Sequence, residues 1–233
     1  MLNMRSGESV RDEDRTTRAR IRDAAITLFS QDGVAATSVR AIAAAAGVSP
    51  ALVIHHFGSK DALRVECDQY MVATLHEQRA TVMQAGVASF DPLAALGRMR
   101  EGPPVTRYLA RTLVDGSPHV AELIDAIVVD GARAMADGVE TGMLRPSAYH
   151  YERAAVLTIW SLGALVLHEH LKRLIDVDFV DGVPEDPTAM APYVGPVIEL
   201  MTEGLMAPEL AARMRTLIPG RGAAEAPTEE EES

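Results

Sequence analysis

The feature that most constrains this chain is a pair of short apolar repeats joined by a glycine turn. Residues 39–46 place four apolar side chains on one face of a short helix, namely Val39, Ile42, Ala43 and Ala46. Gly47 then allows a tight turn, Ser49 can cap the next helix, and Pro50 suits its first position. The helix that follows, over residues 51–57, is too short to form a core element by itself.

A longer amphipathic helix precedes this pair. Its apolar residues recur at the spacing of one helix face and are Ile21, Ala24, Ala25, Leu28 and Phe29. Gly33 follows the last turn as a stop, and either Thr37 or Ser38 can cap the second helix. Two short helices that are joined by a glycine turn and braced by a longer helix present a helix to the DNA major groove. The sequence therefore predicts a DNA-binding headpiece.

Three blocks of this region resemble the headpiece of the tetracycline-repressor (TetR) family. They are residues 37–43 (TSVRAIA), 46–50 (AGVSP) and 55–63 (HHFGSKDAL), in the family's order and spacing. The resemblance implies an all-α protein with an N-terminal helix-turn-helix DNA-binding domain and a larger helical ligand-binding and dimerisation domain. One departure is Ile54, which stands where the family usually carries a tyrosine that meets a phosphate. That contact is lost, or it is replaced by apolar contact with a sugar or a thymine methyl.

We expect four segments along the chain. They are a disordered N-terminal arm over 1–15, the helix-turn-helix domain over 16–64, the ligand-binding and dimerisation domain over 65–218, and a disordered acidic tail over 219–233. In the larger domain, predicted helices cover residues 60–84, 92–102, 105–114, 117–140, 150–175, 196–206 and 209–218.

Composition and charge agree with this interpretation. The net charge is −11, but residues 15–64 carry +4, which suits phosphate, while the acidic body can orient the molecule or simply keep it soluble. A single cysteine, Cys67, excludes an intramolecular disulfide and lacks a partner for a redox switch. The longest stretch without charge, residues 154–167, is too short to span a bilayer, and the N-terminus lacks a signal peptide's apolar core. We therefore expect a cytoplasmic protein with no membrane partner.

Nine headpiece residues are predicted to contact double-stranded DNA: Thr37, Ser38, Arg40, Ser49, Ala51, Leu52, His55, His56 and Lys60. By resemblance, Arg40 meets a phosphate or a base edge. Ala51 and Leu52 can touch a thymine methyl, and His55 can bond to a base or a phosphate. The alternative for Arg40 is a solvated arginine on the helix surface.

Two further sets of cations have more than one interpretation. His56 and Lys60 are predicted to contact the DNA backbone. Lys60 stands at the N-terminus of the fourth helix, which favours phosphate, although a plain surface lysine is the alternative. The arginines at positions 15, 18, 20 and 22 form either a minor-groove arm or part of a solvated N-terminus.

The resemblance also implies a twofold dimer built on two C-terminal helices. The predicted interface residues are Leu157, Ser161, Ala164, Leu165, His168, Leu171, Val197, Leu200, Met201, Gly204 and Leu205, with burial inside one protomer as the alternative. A small-molecule effector, largely apolar, is implied as well. Its candidate contacts are Tyr70, Met99, Tyr108, His119, Leu123 and Trp160, with plain core packing as the alternative.

Enzyme and metal sites find little support in the sequence. His168-Glu169-His170 has the wrong spacing for ligands on one helix face, and the carboxylates of residues 176–186 miss the calcium-loop pattern. The sequence has no glycine-rich phosphate loop, nucleophile elbow or Cys/His cluster, so we expect no enzyme, no cofactor and no metal. The prediction is a homodimeric repressor that a small molecule releases from a palindromic operator. A ligand-independent DNA-binding or interaction module and an activator are the alternatives.

Overall fold

The computed structural model describes residues 4–89, 104–115, 119–180 and 186–217, and side chains from residue 15 onward. These residues contain helices and no strand. In chain order the helices are α1 (Met4–Ala36), α2 (Val39–Ala46), α3 (Pro50–Phe57), α4 (Lys60–Ser89), α5 (Val105–Val114), α6 (His119–Glu140), α7 (His150–Val166), α8 (His168–Ile175), a 3₁₀ helix (Pro187–Met190), α9 (Ala191–Thr202) and α10 (Pro208–Leu217).

Local hydrogen bonds shape the first three helices. Gly33 interrupts α1 with φ 80°, and Gly47 ends α2 in the left-handed region with φ 66°, a conformation that favours glycine. Ser38 caps α2 and Ser49 caps α3, because each hydroxyl oxygen accepts from the backbone N–H three residues later, at 3.1 and 3.2 Å. Pro50 is the first residue of α3. The predicted helix-turn-helix is therefore confirmed.

One hydrophobic core joins the headpiece to the larger domain. Its buried members come from α1 through α6 and include Ile21, Ile26, Phe29, Ile42, Val53, Leu63, Cys67, Met71, Tyr108, Leu109, Leu123 and Ile127. The predicted boundary at residues 64 and 65 thus falls inside α4 and inside this core. Movement of α4, α5 or α6 must therefore act on the packing of the headpiece.

A buried carboxylate ties α4 to α6. The two oxygens of Asp130 have different partners: Oδ1 lies 2.5 Å from Nδ1 of His76, and Oδ2 accepts from Arg79 at 3.0 Å. The Arg79 guanidinium also donates to the carbonyl of Ile127 at 3.2 Å. Because both partners of Asp130 lie on α4, this network holds the two long helices in one relative position.

The structure differs from the sequence predictions at three places. The helix predicted over residues 150–175 is two helices, α7 and α8, which are bent by 74° because Leu167 leaves the helical conformation. The helix predicted over 196–206 begins earlier, at Ala191, and ends at Thr202. Helix α1 begins at Met4, within the arm that was expected to be disordered. The sequence favours a helix here because residues 8–32 contain no glycine or proline. The predicted helix over 92–102 and the acidic tail lie outside the described residues.

Among the described helices, no single one is long and apolar enough to cross a membrane. Two sharply bent pairs, α2–α3 and α7–α8, reach that length and composition only when their halves are taken together.

Candidate DNA interface and effector cleft

The outward face of α3 is the candidate DNA interface. Val53 and Phe57 are buried beneath it, and Leu52 is half-buried. The exposed side chains of this helix include Ser49, Ala51, Ile54 and His55. Arg40 is exposed on the neighbouring helix α2. Small side chains near the start of an exposed helix let its backbone approach base edges closely, which is how a recognition helix enters the major groove.

Arg18 of α1 holds the C-terminal end of α3. Its guanidinium donates to Oε2 of Glu66 at 2.7 Å and to the carbonyl of His56 at 2.9 Å. It also lies 4.6 Å from the centre of the Phe57 ring. These three contacts fix α3 against both α1 and α4, so Arg18 positions the recognition helix rather than forming part of a minor-groove arm.

Two residues predicted to contact DNA have structural roles instead. The ammonium of Lys60 donates to the carbonyls of Val34 and Thr37, at 2.8 and 3.1 Å. Thr37 is only 3% exposed, and its hydroxyl donates to the carbonyl of Gly33 at 2.8 Å. Both predictions are corrected for the same reason: the break in α1 at Gly33 leaves carbonyl groups that need hydrogen-bond donors.

The N-terminal arginines divide into two groups. Arg22 donates to Oδ1 of Asp23 at 2.8 Å and covers the Tyr70 ring, 3.5 Å from its centre, so both Arg22 and Arg18 are engaged in contacts within the protein. Arg15 and Arg20 are exposed. The cations of this region that stay available to phosphate therefore include Arg15, Arg20 and Arg40.

The outward apolar face of α7 is shifted from the one predicted. Leu157, Ala164 and Leu165 are half-buried, and Leu165 packs against the core of the same protomer. The side chains that point outward are Val156, Ile159, Trp160 and Leu167. Since α7 is apolar on several sides, spacing alone could not decide which side faces the protomer's own core.

The helices after α7 pack weakly on their own protomer. Neither α8, α9 nor α10 contains a buried residue. The large apolar side chains that α9, α10 and the turn between them expose include Val194, Ile198, Leu200, Met201, Leu205, Met206, Leu210, Met214 and Leu217. Leu205 is 86% exposed. A concentration of large exposed apolar side chains is typical of a surface that associates with another molecule.

Three of the predicted effector contacts, Tyr70, Tyr108 and Leu123, belong to the hydrophobic core or pack against it. Tyr108 and Leu123 are buried in the core, and Tyr70 lies beneath Arg22. Nδ1 of His119 lies 3.7 Å from Oε2 of Glu122. Trp160 is on the outward face of α7. Met99 lies outside the described residues.

Tyr108 belongs to a buried polar contact that links α4 to α5. Its hydroxyl donates to Oδ1 of Asp68 at 2.6 Å, and Nε of Arg64 lies 3.8 Å from the other oxygen of that carboxyl. Burial raises the pKa of both Asp68 and Tyr108, and it also raises the pKa of the Cys67 thiol, which lies in the core. The tyrosine and the thiol therefore stay protonated at neutral pH, as structural groups.

A cleft with a volume of about 400 Å³ opens between α1, α5 and the α7–α8 bend. Its polar lining combines cations with a single carboxylate: Arg107 and Arg111 from α5, and His168 and Glu169 from α8. Ser30 and Gln31 of α1 complete this side. Of the six predicted effector contacts, the structure describes five, and none of these five lines this cleft. Sequence analysis missed this cleft because its residues come from four distant parts of the chain.

These features define a class: a helix-turn-helix DNA-binding protein whose recognition helix shares one core with a larger helical body. Comparison with known proteins then identifies the family. The family model described as bacterial regulatory proteins, tetR family, matches residues 21–67, and the tetracyclin repressor-like C-terminal domain matches residues 101–207. The HTH-type transcriptional regulatory protein RaaS of Mycobacterium tuberculosis is 36% identical over 210 residues, covering 85% of this chain and 91% of RaaS. This chain belongs to the TetR family of transcriptional regulators and is not an enzyme.

Other comparisons agree with this family. The HTH-type transcriptional repressor Rv3405c of M. tuberculosis is 38% identical over 120 residues, covering 47% of this chain and 57% of that protein. Among solved structures, a candidate fatty acid metabolism regulator of Clostridium perfringens aligns with a TM-score of 0.52 at 16% identity, covering 81% of this chain and 99% of that one. At such low identity the structural likeness shows the fold alone.

Proposed function

We propose that this protein is a homodimeric repressor that binds a palindromic operator and leaves it when a small effector binds. The observation that carries the proposal is the exposed, doubly anchored recognition helix α3. Ser49 caps its start, and Arg18 holds its end. A helix in this state offers its outward side chains to DNA without having to reorganise first.

The proposed base and phosphate contacts are the predicted residues that stay on the surface. Ala51, Leu52 and His55 of α3 are available to base edges, and Ile54 adds an apolar contact that suits a thymine methyl. Arg40 of α2 is available to phosphate. The remaining predicted contacts are Ser38, Ser49 and His56, of which the two serines already act as helix caps.

The exposed apolar surface of the C-terminal half supports the dimer. A second copy of the chain can cover the outward face of α7 and the otherwise unburied helices α9 and α10. The predicted interface residues that are exposed, namely Ser161, Leu200, Met201, Gly204 and Leu205, remain part of this proposal, and Val156, Ile159 and Trp160 join them. A twofold dimer places two recognition helices about 34–36 Å apart, which fits two half-sites one DNA turn apart.

Repression and release follow from this arrangement. A protein bound across a promoter excludes the transcription machinery, and the relative named Rv3405c is described as a repressor. An effector that prefers a different setting of α4, α5 and α6 weakens operator binding by its differential affinity for the two settings. The core shared between these helices and the headpiece supplies the mechanical connection.

The first experiment selects bound fragments from random and genomic DNA with the purified protein at stated salt. We expect an enriched palindrome with half-site centres about 10 base pairs apart. His55→Ala should weaken binding to the selected site by about 1–3 kcal/mol and relax the preference at one position of each half-site. Arg40→Gln should weaken binding to all sequences and reduce its salt dependence.

Arg133→Gln is the matched control for Arg40→Gln, because Arg133 is an exposed arginine on α6 and lies outside the headpiece. It should leave operator affinity unchanged. Selection without any enriched sequence, or equal losses for Arg40→Gln and Arg133→Gln, would contradict the proposed mode of binding.

A further inference from the structure

The cleft between α1, α5 and the α7–α8 bend has an unbalanced charge. Among the described residues, the lining combines the guanidinium groups of Arg107 and Arg111 and the imidazole of His168 with one carboxylate, that of Glu169. That carboxylate is mostly exposed, and its nearest oxygen is 3.9 Å from Nδ1 of His168. The lining residues that the structure describes therefore include two arginines and one glutamate.

His168 contributes a polar atom with no hydrogen-bond partner among the described residues. Its Nδ1 is buried, and no protein atom in the described part of the chain bonds to it. Buried polar atoms in proteins are nearly always paired, and a buried atom without a partner points to a missing ligand or solvent molecule. His168 lines the same cleft as the two arginines.

The guanidinium of Arg111 lies beside the break in α1. A Cβ atom added to Gly33 would lie 3.2 Å from its Nε, so the guanidinium rests directly on the glycine that interrupts α1. Among the described residues, the guanidinium of Arg111 has neither a hydrogen bond nor an ion pair. It is thus a charged donor held beside the headpiece.

Apolar side chains contribute much of the remaining lining of the cleft. Ala110 and Val114 of α5, Leu165 of α7 and Val180 contribute hydrocarbon surface. A volume of about 400 Å³ lies within the range of small-molecule sites, which combine an apolar lining with a few polar groups. We propose that this cleft binds an amphipathic organic anion, whose carboxylate or phosphate lies between Arg107, Arg111 and His168 and whose apolar part lies against Val114 and Leu165.

The location suggests what such an anion would do. Ser30 and Gln31 belong to α1, the helix that carries the headpiece, so an occupant of the cleft contacts both α1 and the body. This step rests on the proposed release from the operator: the anion would favour one setting of α1 against α5. By linkage, operator DNA would lower the affinity for the anion by the same factor by which the anion lowers the affinity for DNA.

Binding to the DNA-free full-length protein tests the site independently of the operator. The probes are 2-naphthoate and 2-naphthyl phosphate, with 2-naphthalenemethanol as the uncharged counterpart, measured by isothermal titration calorimetry. We expect at least one of the two anions to bind with one site per protomer and at least about tenfold more tightly than the alcohol, because charge-assisted hydrogen bonds contribute more than neutral ones. The two anions together distinguish a carboxylate site from a phosphate site.

Variants locate the site. Arg111→Gln should weaken anion binding about tenfold and leave alcohol binding unchanged, whereas Arg133→Gln, which makes the same charge change on α6, should have no effect. Val114→Trp fills the cleft without removing a charge and should abolish binding. Val129→Trp, at an exposed position of α6, is its control.

Three results would overturn the proposal: equal affinity for the anions and the alcohol, equal effects of Arg111→Gln and Arg133→Gln, or no binding up to the solubility limit of the probes. Failure of the DNA selection would count against the repressor mechanism and leave this calorimetric result standing. Operator binding that both anions leave unchanged, with the site confirmed by calorimetry, would overturn only the link to release.

Discussion

The headpiece and the C-terminal helices of this protein are both helical, yet they are stabilised in different ways. Helices α1 to α3 contain buried residues such as Ile21, Phe29, Ile42 and Val53, together with two serine caps. Helices α8 to α10 contain no buried residue. The headpiece is thus stabilised by its own chain, whereas the C-terminal helices present exposed apolar side chains, which the proposed dimer would cover.

The largest expected effect comes from the core of the headpiece. Phe29→Ala removes a fully buried ring and should lower the free energy of unfolding by about 3–5 kcal/mol. Urea unfolding followed by circular dichroism measures this. Leu174→Ala, at a residue of α8 that is 65% exposed and lies outside the proposed interface, is the counterpart and should change stability by at most about 0.5 kcal/mol. Similar losses for the two variants would contradict the contrast between the two regions.

A charge on α9 tests the other side of the comparison. Ile198→Glu should convert the dimer into a monomer, because a carboxylate in an apolar interface loses its hydration without gaining a partner. Sedimentation velocity should show the halved mass, and operator affinity should fall by about a hundredfold or more as one half-site is lost. Ala136→Glu, which adds the same charge at an exposed position of α6, should leave the dimer intact. A wild-type protein that is monomeric at micromolar concentration would refute the proposed interface.

The connection between the two long helices should show an intermediate effect. Asp130→Asn keeps the shape of the side chain but removes the charge that pairs with His76 and Arg79, and we expect a loss of about 1–3 kcal/mol in the free energy of unfolding. Asp125→Asn is the matched control, since Asp125 is exposed on the same helix. Thermal unfolding of both variants at one protein concentration distinguishes them. Equal melting temperatures would mean that the α4–α6 network adds no stability.

The smallest expected effect is at the cap of the recognition helix. Ser49→Ala removes the acceptor for the backbone N–H of Leu52 and should cost about 1 kcal/mol. Ser49→Asp keeps an acceptor at this position and should restore stability, although its charge should weaken DNA binding. Hydrogen exchange of the first α3 amides reports the cap directly. Unchanged exchange in Ser49→Ala would show that the side-chain cap does not stabilise α3 in solution.

Features set by neighbouring residues were predictable from the sequence. Ser38, Gly47 and Ser49 act within four residues of their own positions, and the structure confirms all three. The bounds of α5 were predictable for the same reason. The bend at Leu167 was not, because the spacing of apolar residues is preserved when the direction of a helix changes at a single residue.

Roles that depend on distant residues could not be predicted. Lys60 looked like a phosphate contact at the start of α4, but its ammonium bonds to two carbonyls more than twenty positions earlier. Arg18 looked like part of an arm, but it bonds to Glu66 and to the end of α3. Nothing in the local sequence around either residue distinguishes a cation that meets DNA from one that meets the protein itself.

The sequence by itself determined the all-α class and the helix-turn-helix with its caps, because these depend on propensities and hydrogen bonds within a few residues. It also indicated the family, through the resemblance of three short blocks of the headpiece. Only the tertiary structure decided which side of α7 faces outward, that the headpiece and body share one core, and that Arg107, Arg111 and His168 line one cleft. These outcomes depend on contacts between segments far apart in the chain, and such contacts form only when the whole set of helices packs together.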